Sequence, residues 1–206
     1  MNEKFFKLPQ TKTDKIMNSA YKVFSENSYK KAATEDIAEL AEISKGLLFH
    51  YFASKKELYI FIHNYAFEFM KKNVDINELS KTNDLFEIIF LVQEKKLDFM
   101  KKYPYIFKFL FKANHEEDKS LSEYLSRFKK QSIENGFDFL YKRADLSRFK
   151  KDVDITKVWQ LIKWTAEGFS DDLLKKKDNI EKEDFDELKA YLLILKKNLY
   201  KEEFTN

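Results

Sequence analysis

The 206-residue chain contains no cysteine, which excludes disulfide bonds, thiol catalysis and cysteine-ligated zinc. It has only three glycines and two prolines. That leaves too little turn chemistry for many short strands, so helix is expected to dominate. Its three histidines, His50, His63 and His115, are scattered, and none belongs to an E-x-x-H or H-E-x-x-H pair. A di-iron carboxylate bundle and a zincin therefore lack their ligands. A glycine-rich phosphate loop and a G-x-S-x-G elbow are missing as well. No catalytic residue, metal or cofactor is assigned, and the chain is read as not an enzyme. No stretch approaches the ~18 apolar residues of a membrane span, and the first twenty residues lack the apolar segment that directs export. A cytoplasmic protein without a membrane partner is expected.

Aromatic residues are abundant, 17% of the chain with 21 phenylalanines. Such numbers in an otherwise polar chain point to a cavity-lining or subunit-facing surface in addition to a core. The net charge is +3, and residues 1–72 hold 12 lysines against 9 acids, so the whole excess lies in that segment. A mild positive bias suits a polyanionic partner.

The same segment holds the densest local signals. Thr34, Ser44 and Ser54 each stand before an apolar run at helical spacing and are suited to cap a helix start. Ser54 and Glu57 also have the S-x-x-E spacing of a capping box. Thr34 to Ala41 is only about two turns, with Ile37, Ala38 and Ala41 on one face, and Glu42-Ile43 leads straight into Ser44. A short helix, a tight turn and a second short helix make a helix-turn-helix. In the second helix Leu48 and Phe52 are expected to pack inward, which leaves Lys45, Gly46, Leu47, Phe49, His50 and Tyr51 outward or at the edge. Exposed aromatics, a histidine and an N-terminal lysine suit a helix entering the major groove of double-stranded DNA.

This segment, A-T-E-D-I-A-E-L-A-E-I-S-K-G-L-L-F-H-Y-F-A-S-K-K-E-L-Y, resembles the DNA-binding motif of the TetR family of transcriptional regulators, T-x-x-D-I-A-x-x-A-G-V-S-K-G-T-L-Y-x-Y-F-x-S-K-E-x-L. The match is close over Tyr29 to Tyr59, and W-T-A-E-G-F at Trp164 to Phe169 is a fainter likeness. The resemblance implies that Thr34 touches a phosphate, that Lys45 and Gly46 face bases, that Phe49, His50 and Tyr51 line the backbone and groove wall, and that Lys55 reaches a phosphate. Three positions depart from the pattern. Glu42 replaces a glycine and would be strained by about 1 kcal/mol if left-handed. Leu47 replaces a threonine, and Ala33 replaces one of a threonine pair. The DNA-binding set is thus Thr34, Ser44, Lys45, Gly46, Leu47, Phe49, His50, Tyr51 and Lys55.

The remaining chain also reads as helical. A loose arm over 1–10 is followed by a helix from Thr11 to Glu26 with Ile16, Ala20, Val23 and Phe24 inward. A longer helix runs from Ser54 to about Asn73, another from Leu85 to Lys102, a short one from Tyr105 to Lys112, and a long one from Lys119 to Tyr141. Val158, Ile162, Thr165, Phe169 and Leu173, and then Phe185, Leu188, Leu192, Leu195 and Leu199, recur at steps of three and four. Such seams fit either the central helices of a monomeric bundle or a dimeric four-helix interface, and the resemblance to the TetR family favours the interface, with Val158, Ile162, Phe169, Phe185, Leu188, Leu192, Leu195 and Leu199 in it. The aromatics Phe90, Tyr103, Phe107, Phe111, Phe137, Tyr141 and Trp164 are candidates to line an apolar ligand pocket.

The expectation is an all-α protein: a three-helix helix-turn-helix domain over 1–53, a connecting helix over 54–74, and a larger ligand-binding and dimerisation domain over 75–206, about nine helices altogether. The function expected is that of a homodimeric repressor, released from a near-palindromic operator by a small hydrophobic ligand. A helical dimer that sequesters a lipid or drug, with little specific DNA binding, is the alternative.

Overall fold

The computed structural model describes residues 3–73, 79–177 and 180–205, with the side chains of Glu3, Ile133 and Phe137 outside the described set. The boundary expected at 74 and the Phe137 side chain therefore lie outside what is described. Ten α-helices occur among the described residues: α1 Glu3–Phe6, α2 Gln10–Glu26, α3 Thr34–Leu40, α4 Lys45–Tyr51, α5 Lys55–Asn73, α6 Leu85–Lys102, α7 Ile106–Asn114, α8 Ser122–Tyr141, α9 Ile155–Lys176 and α10 Lys182–Leu199. The described residues contain no strand, only an isolated antiparallel bridge between Phe149 and Tyr200. None of these helices is long and apolar enough to cross a membrane.

Packing divides the chain into two compact units, and the division is not linear. Met1–Asn73 joins Asp98–Lys129 in the first unit, and Val74–Leu97 joins Lys130–Asn206 in the second. α6 and α8 each contribute one end to each unit.

The first unit is built on α2. Its stripe of Ile16, Ala20, Val23 and Phe24 is buried as the spacing predicts, and Pro9 starts the helix, since its missing N–H is one the first turn would leave unbonded. The expected loose arm is instead a turn of helix. Phe5 is wholly buried against Tyr51, Phe52 and Phe61, which stabilises the unit by roughly 1.5–3 kcal/mol. The Tyr21 hydroxyl donates to the carbonyl of Ile62 at 2.9 Å, and the Tyr103 hydroxyl donates to Asp14 at 2.7 Å. His63 on α5 is buried among Phe67, Phe109 and Phe128, with Nδ1 2.8 Å from the Tyr124 hydroxyl. Burial pushes its pKa down to about 4, because a charged imidazole would lose its hydration there.

The second unit gathers α9 and α10 on the first part of α6. Its core contains Val158, Ile162, Leu188 and Leu192, all four of which the sequence reading placed at a subunit interface. Phe169, Leu195 and Leu199 are half-buried against the same core. A regular seam marks a face that must be covered, and here most of the cover comes from within the chain.

One polar cluster organises this unit. Asp84 is buried, and its Oδ1 accepts the amides of Phe86 at 2.9 Å and Glu87 at 3.1 Å, which caps α6. Its Oδ2 meets Arg148 and Lys196, each at 3.1 Å, and the Tyr200 hydroxyl donates to Oδ1 at 3.2 Å. The loop before α6, the turn at 146–148 and the end of α10 are thereby tied to one carboxylate.

Candidate nucleic-acid interface

α3 begins with Thr34 as its first helical residue, preceded by Ala33 in extended conformation at the cap position. Ala33 has no side-chain oxygen to accept an amide, so the expected Thr34 cap is corrected: the hydroxyl sits one residue too late. Thr34 is 6% exposed and its Oγ1 donates to Glu35 Oε2 at 3.2 Å. Glu35 and Asp36 in the first turn complement the positive end of the helix instead.

The turn after α3 is closed by two backbone bonds, Ile43 N–H to Ala38 C=O at 3.0 Å and Glu42 N–H to Glu39 C=O at 2.9 Å. This is a Schellman ending, which needs a left-handed residue after the cap. Glu42 supplies it with φ 54°, the single non-glycine residue with positive φ among those described. Its side chain forms an exposed ion pair with Lys15 of α2. Ser44 follows in extended conformation, and its Oγ accepts the Leu47 amide at 3.1 Å, so the second cap is as expected. The third start also uses its serine, with Ser54 Oγ accepting the Glu57 amide at 3.1 Å.

α4 is held by Leu48, wholly buried, and by Phe52 just after its end. Lys45, Gly46, Leu47 and His50 are exposed and Phe49 is half-buried. Tyr51 departs from the outward set: its ring is buried against Phe5 and Phe52, because α1 supplies an apolar surface that the motif alone does not reveal. A Cβ on Gly46 would meet nothing closer than Ser44 Oγ at 3.9 Å. The fold itself therefore does not require glycine there, and the small residue suits close approach by something outside the chain.

Two lysines of the set are already engaged. The Lys45 ammonium pairs with Glu35 and stands 5.9 Å from the Phe49 ring centroid. That ammonium holds the Glu35 carboxyl below its ordinary pKa. Lys55 donates to the carbonyl of Lys30 at 3.2 Å and lies 4.9 Å from the Tyr29 centroid. Partial burial lowers its pKa, with Asp118, Glu35 and Glu116 acting the other way. The Tyr29 amide in turn donates to Glu116 Oε2 at 2.8 Å. Sequence reading missed the partners of Lys45 and Lys55 because they lie ten and twenty-five residues away, outside any helical spacing rule.

The six pocket candidates whose side chains are described do not converge within either unit. Tyr103 fills the first core, with Phe107 against it, and Phe111 packs on His115. Phe90 is buried in the second core, while Tyr141 and Trp164 are exposed. Phe90 also borders a small cavity of 220 Å³ with Leu97, Phe185 and Leu188.

The family description "Bacterial regulatory proteins, tetR family" matches residues 16–60, the segment that holds α3, the Glu42 turn and α4. The likeness to that family covers this segment, 45 of the 206 residues. Among its relatives, the biofilm operon icaADBC HTH-type negative transcriptional regulator IcaR of Staphylococcus aureus is 32% identical over 90 residues, covering 40% of this chain and 48% of the relative. The chain thus spans about half the length of the curated relatives it matches. The fatty acid degradation regulator FadR from Bacillus halodurans superposes with a TM-score of 0.68 at 17% identity, over 89% of this chain and 96% of the other. The ketosteroid transcriptional regulator KstR2 of Mycobacterium tuberculosis gives 0.65 at 18%, over 95% and 97%. At those identities the likeness is one of fold, an N-terminal helix-turn-helix followed by helices.

Proposed function

We propose that this chain is a DNA-binding transcriptional regulator of the TetR family, a repressor that docks α4 in the major groove of a near-palindromic operator. The observation that carries the reading is the surface of α4. Lys45, Gly46, Leu47 and His50 stand exposed in its first turns and along one side, and Leu48 and Phe52 fix the helix from behind. Lys45 is assigned to base edges, and Thr34, Phe49, His50 and Lys55 to positioning on the backbone, while the buried Tyr51 ring holds α4 from behind. For Lys45 this means exchanging the Glu35 carboxylate for DNA, and Lys55 would reach a phosphate while still resting on Tyr29.

A palindromic site calls for two copies, with recognition helices about one turn of DNA apart, ~34 Å. α9 and α10 support a homodimer through residues other than the regular seam. Trp164 is 61% exposed and Ile194 59%, with Leu161, Tyr191 and Leu193 also exposed. Trp164→Glu is expected to yield monomers by light scattering, and a variant that remains dimeric would move the interface elsewhere. Release by a small hydrophobic ligand, which the abundance of aromatic residues favours, requires that the ligand bind the released conformer better; a tenfold loss of DNA affinity takes ~1.4 kcal/mol of such coupling.

The test is titration of purified protein against the DNA flanking its own coding region at ~50 and ~200 mM salt, with unrelated DNA as competitor. Binding by two subunits that survives competitor, and loses discrimination in Lys45→Ala, is the expected result. Binding erased equally by salt and competitor would refute it.

A further inference from the structure

On the first unit, α5 lays a row of rings along an open groove of 830 Å³. Phe61, Tyr65 and Phe69 follow at intervals of four residues and so share one helix face. Tyr65 stacks on Phe61 at 6.1 Å and 25°, and on Phe69 at 6.2 Å and 14°. Phe6 of α1 lies along Tyr65 at 6.3 Å and 26° and is 44% exposed. Ring faces carry the negative end of the aromatic quadrupole, so a ladder of them attracts a cation as well as apolar surface.

The charges on the lining point the same way. Glu57 and Glu68 are exposed and enter no ion pair among the described residues, against one ammonium, Lys72, so the lining carries a net charge of −1. Lys102, which stands 5.6 Å from the Phe69 centroid, is itself balanced by Asp14 at 3.4 Å.

We infer that this groove binds a lipophilic organic cation bearing aromatic rings. The rings stack on Tyr65 and its neighbours, and the positive centre is held by Glu57 and Glu68. An amphiphile with a carboxylate of its own meets repulsion from the same pair. One end of the groove is formed by Tyr51 and Phe52, the last residue of α4 and the residue after it, so the occupant touches the base of the recognition helix directly. Only this last consequence rests on the function proposed above.

Isothermal titration of the full chain with tetraphenylphosphonium and with its isosteric anion tetraphenylborate separates charge from shape. Micromolar binding of one phosphonium per chain is expected, with the borate weaker by at least about tenfold, ~1.4 kcal/mol. Glu57→Gln with Glu68→Gln should cost the phosphonium about tenfold while lowering the melting temperature by no more than ~4 °C, the charge of Glu57 in the first turn of α5 being worth at most about 1 kcal/mol. Phe6→Ser should weaken it as well. Borate binding as tight as phosphonium binding, a double variant that binds as wild type, or no heat at ~1 mM phosphonium would each overturn the assignment. Saturating phosphonium should also weaken operator binding; a protein that takes up phosphonium but binds no DNA leaves the groove standing and refutes the regulator.

Discussion

Replacing Glu42 by glycine should make the protein more stable than replacing it by alanine, although glycine is the more flexible residue. At φ 54° a residue with a Cβ is strained by roughly 1–2 kcal/mol, and alanine keeps that strain. Glycine removes it but brings an unfolded-state entropy penalty of about 0.5–1 kcal/mol. Both variants lose the exposed pair with Lys15, so that contribution cancels between them. The difference should therefore be about 0.5–1 kcal/mol in favour of glycine, or ~1–4 °C in melting temperature for a chain of this size. Against wild type the glycine variant stands near neutral, because an exposed ion pair contributes less than ~1 kcal/mol. Thermal unfolding followed by circular dichroism, repeated in a Lys15→Ala background, measures each part. Glycine no better than alanine in both backgrounds would mean that the turn is not strained as its geometry indicates.

Gly46→Ala should separate fold from recognition. The added methyl meets open space, so stability should be unchanged or higher by up to ~0.5 kcal/mol, while operator affinity in a gel-shift titration falls at least about tenfold; unchanged affinity would remove Gly46 from the interface. Asp84→Ala takes one carboxylate from Arg148 and Lys196, leaving them Asp145 and Glu87, and removes the α6 cap, a loss of about 2–3 kcal/mol that should lower the melting temperature by roughly 4–12 °C. Asp84→Asn, which keeps an acceptor for the cap, should lose less, and an alanine variant that melts like wild type would refute the hub. His63 has a folded pKa near 4, below its unfolded value of ~6.5, so as pH falls the unfolded state takes up the proton first. Stability from this group is intact above about pH 6.5 and declines toward pH 4, by roughly 2 kcal/mol at pH 5. Urea midpoints at pH 7 and 5 should show that decline in wild type and its absence in His63→Gln; equal pH dependence in both would place the buried charge elsewhere.

The helical class, the α2 stripe and the Ser44 cap were legible in the sequence, because each depends on residues within a turn or two of one another; the left-handed Glu42 was suggested only by the glycine that the resembling motif has there. The bounds of α6, Leu85–Lys102, were legible for the same reason: its periodicity and the following Tyr103-Pro104 are local signals. The nine expected DNA contacts were read from a motif, and the structure shows the state of each one before DNA arrives.

What the sequence could not decide was where an apolar or charged side chain finds its partner. The spacing of Val158, Ile162, Leu188 and Leu192 determined that they form covered faces. Whether the cover is the same chain or a second copy depends on α6 folding back, and tertiary structure decided for the same chain, leaving Trp164 and Ile194 outside. Tyr51 was turned inward by Phe5, and Lys45 was held by Glu35, through contacts between segments that no local pattern connects. The ring ladder shows both levels at once: four-residue spacing places Phe61, Tyr65 and Phe69 on one face, and only the packing of α1 and α4 beside them leaves that face open as a groove.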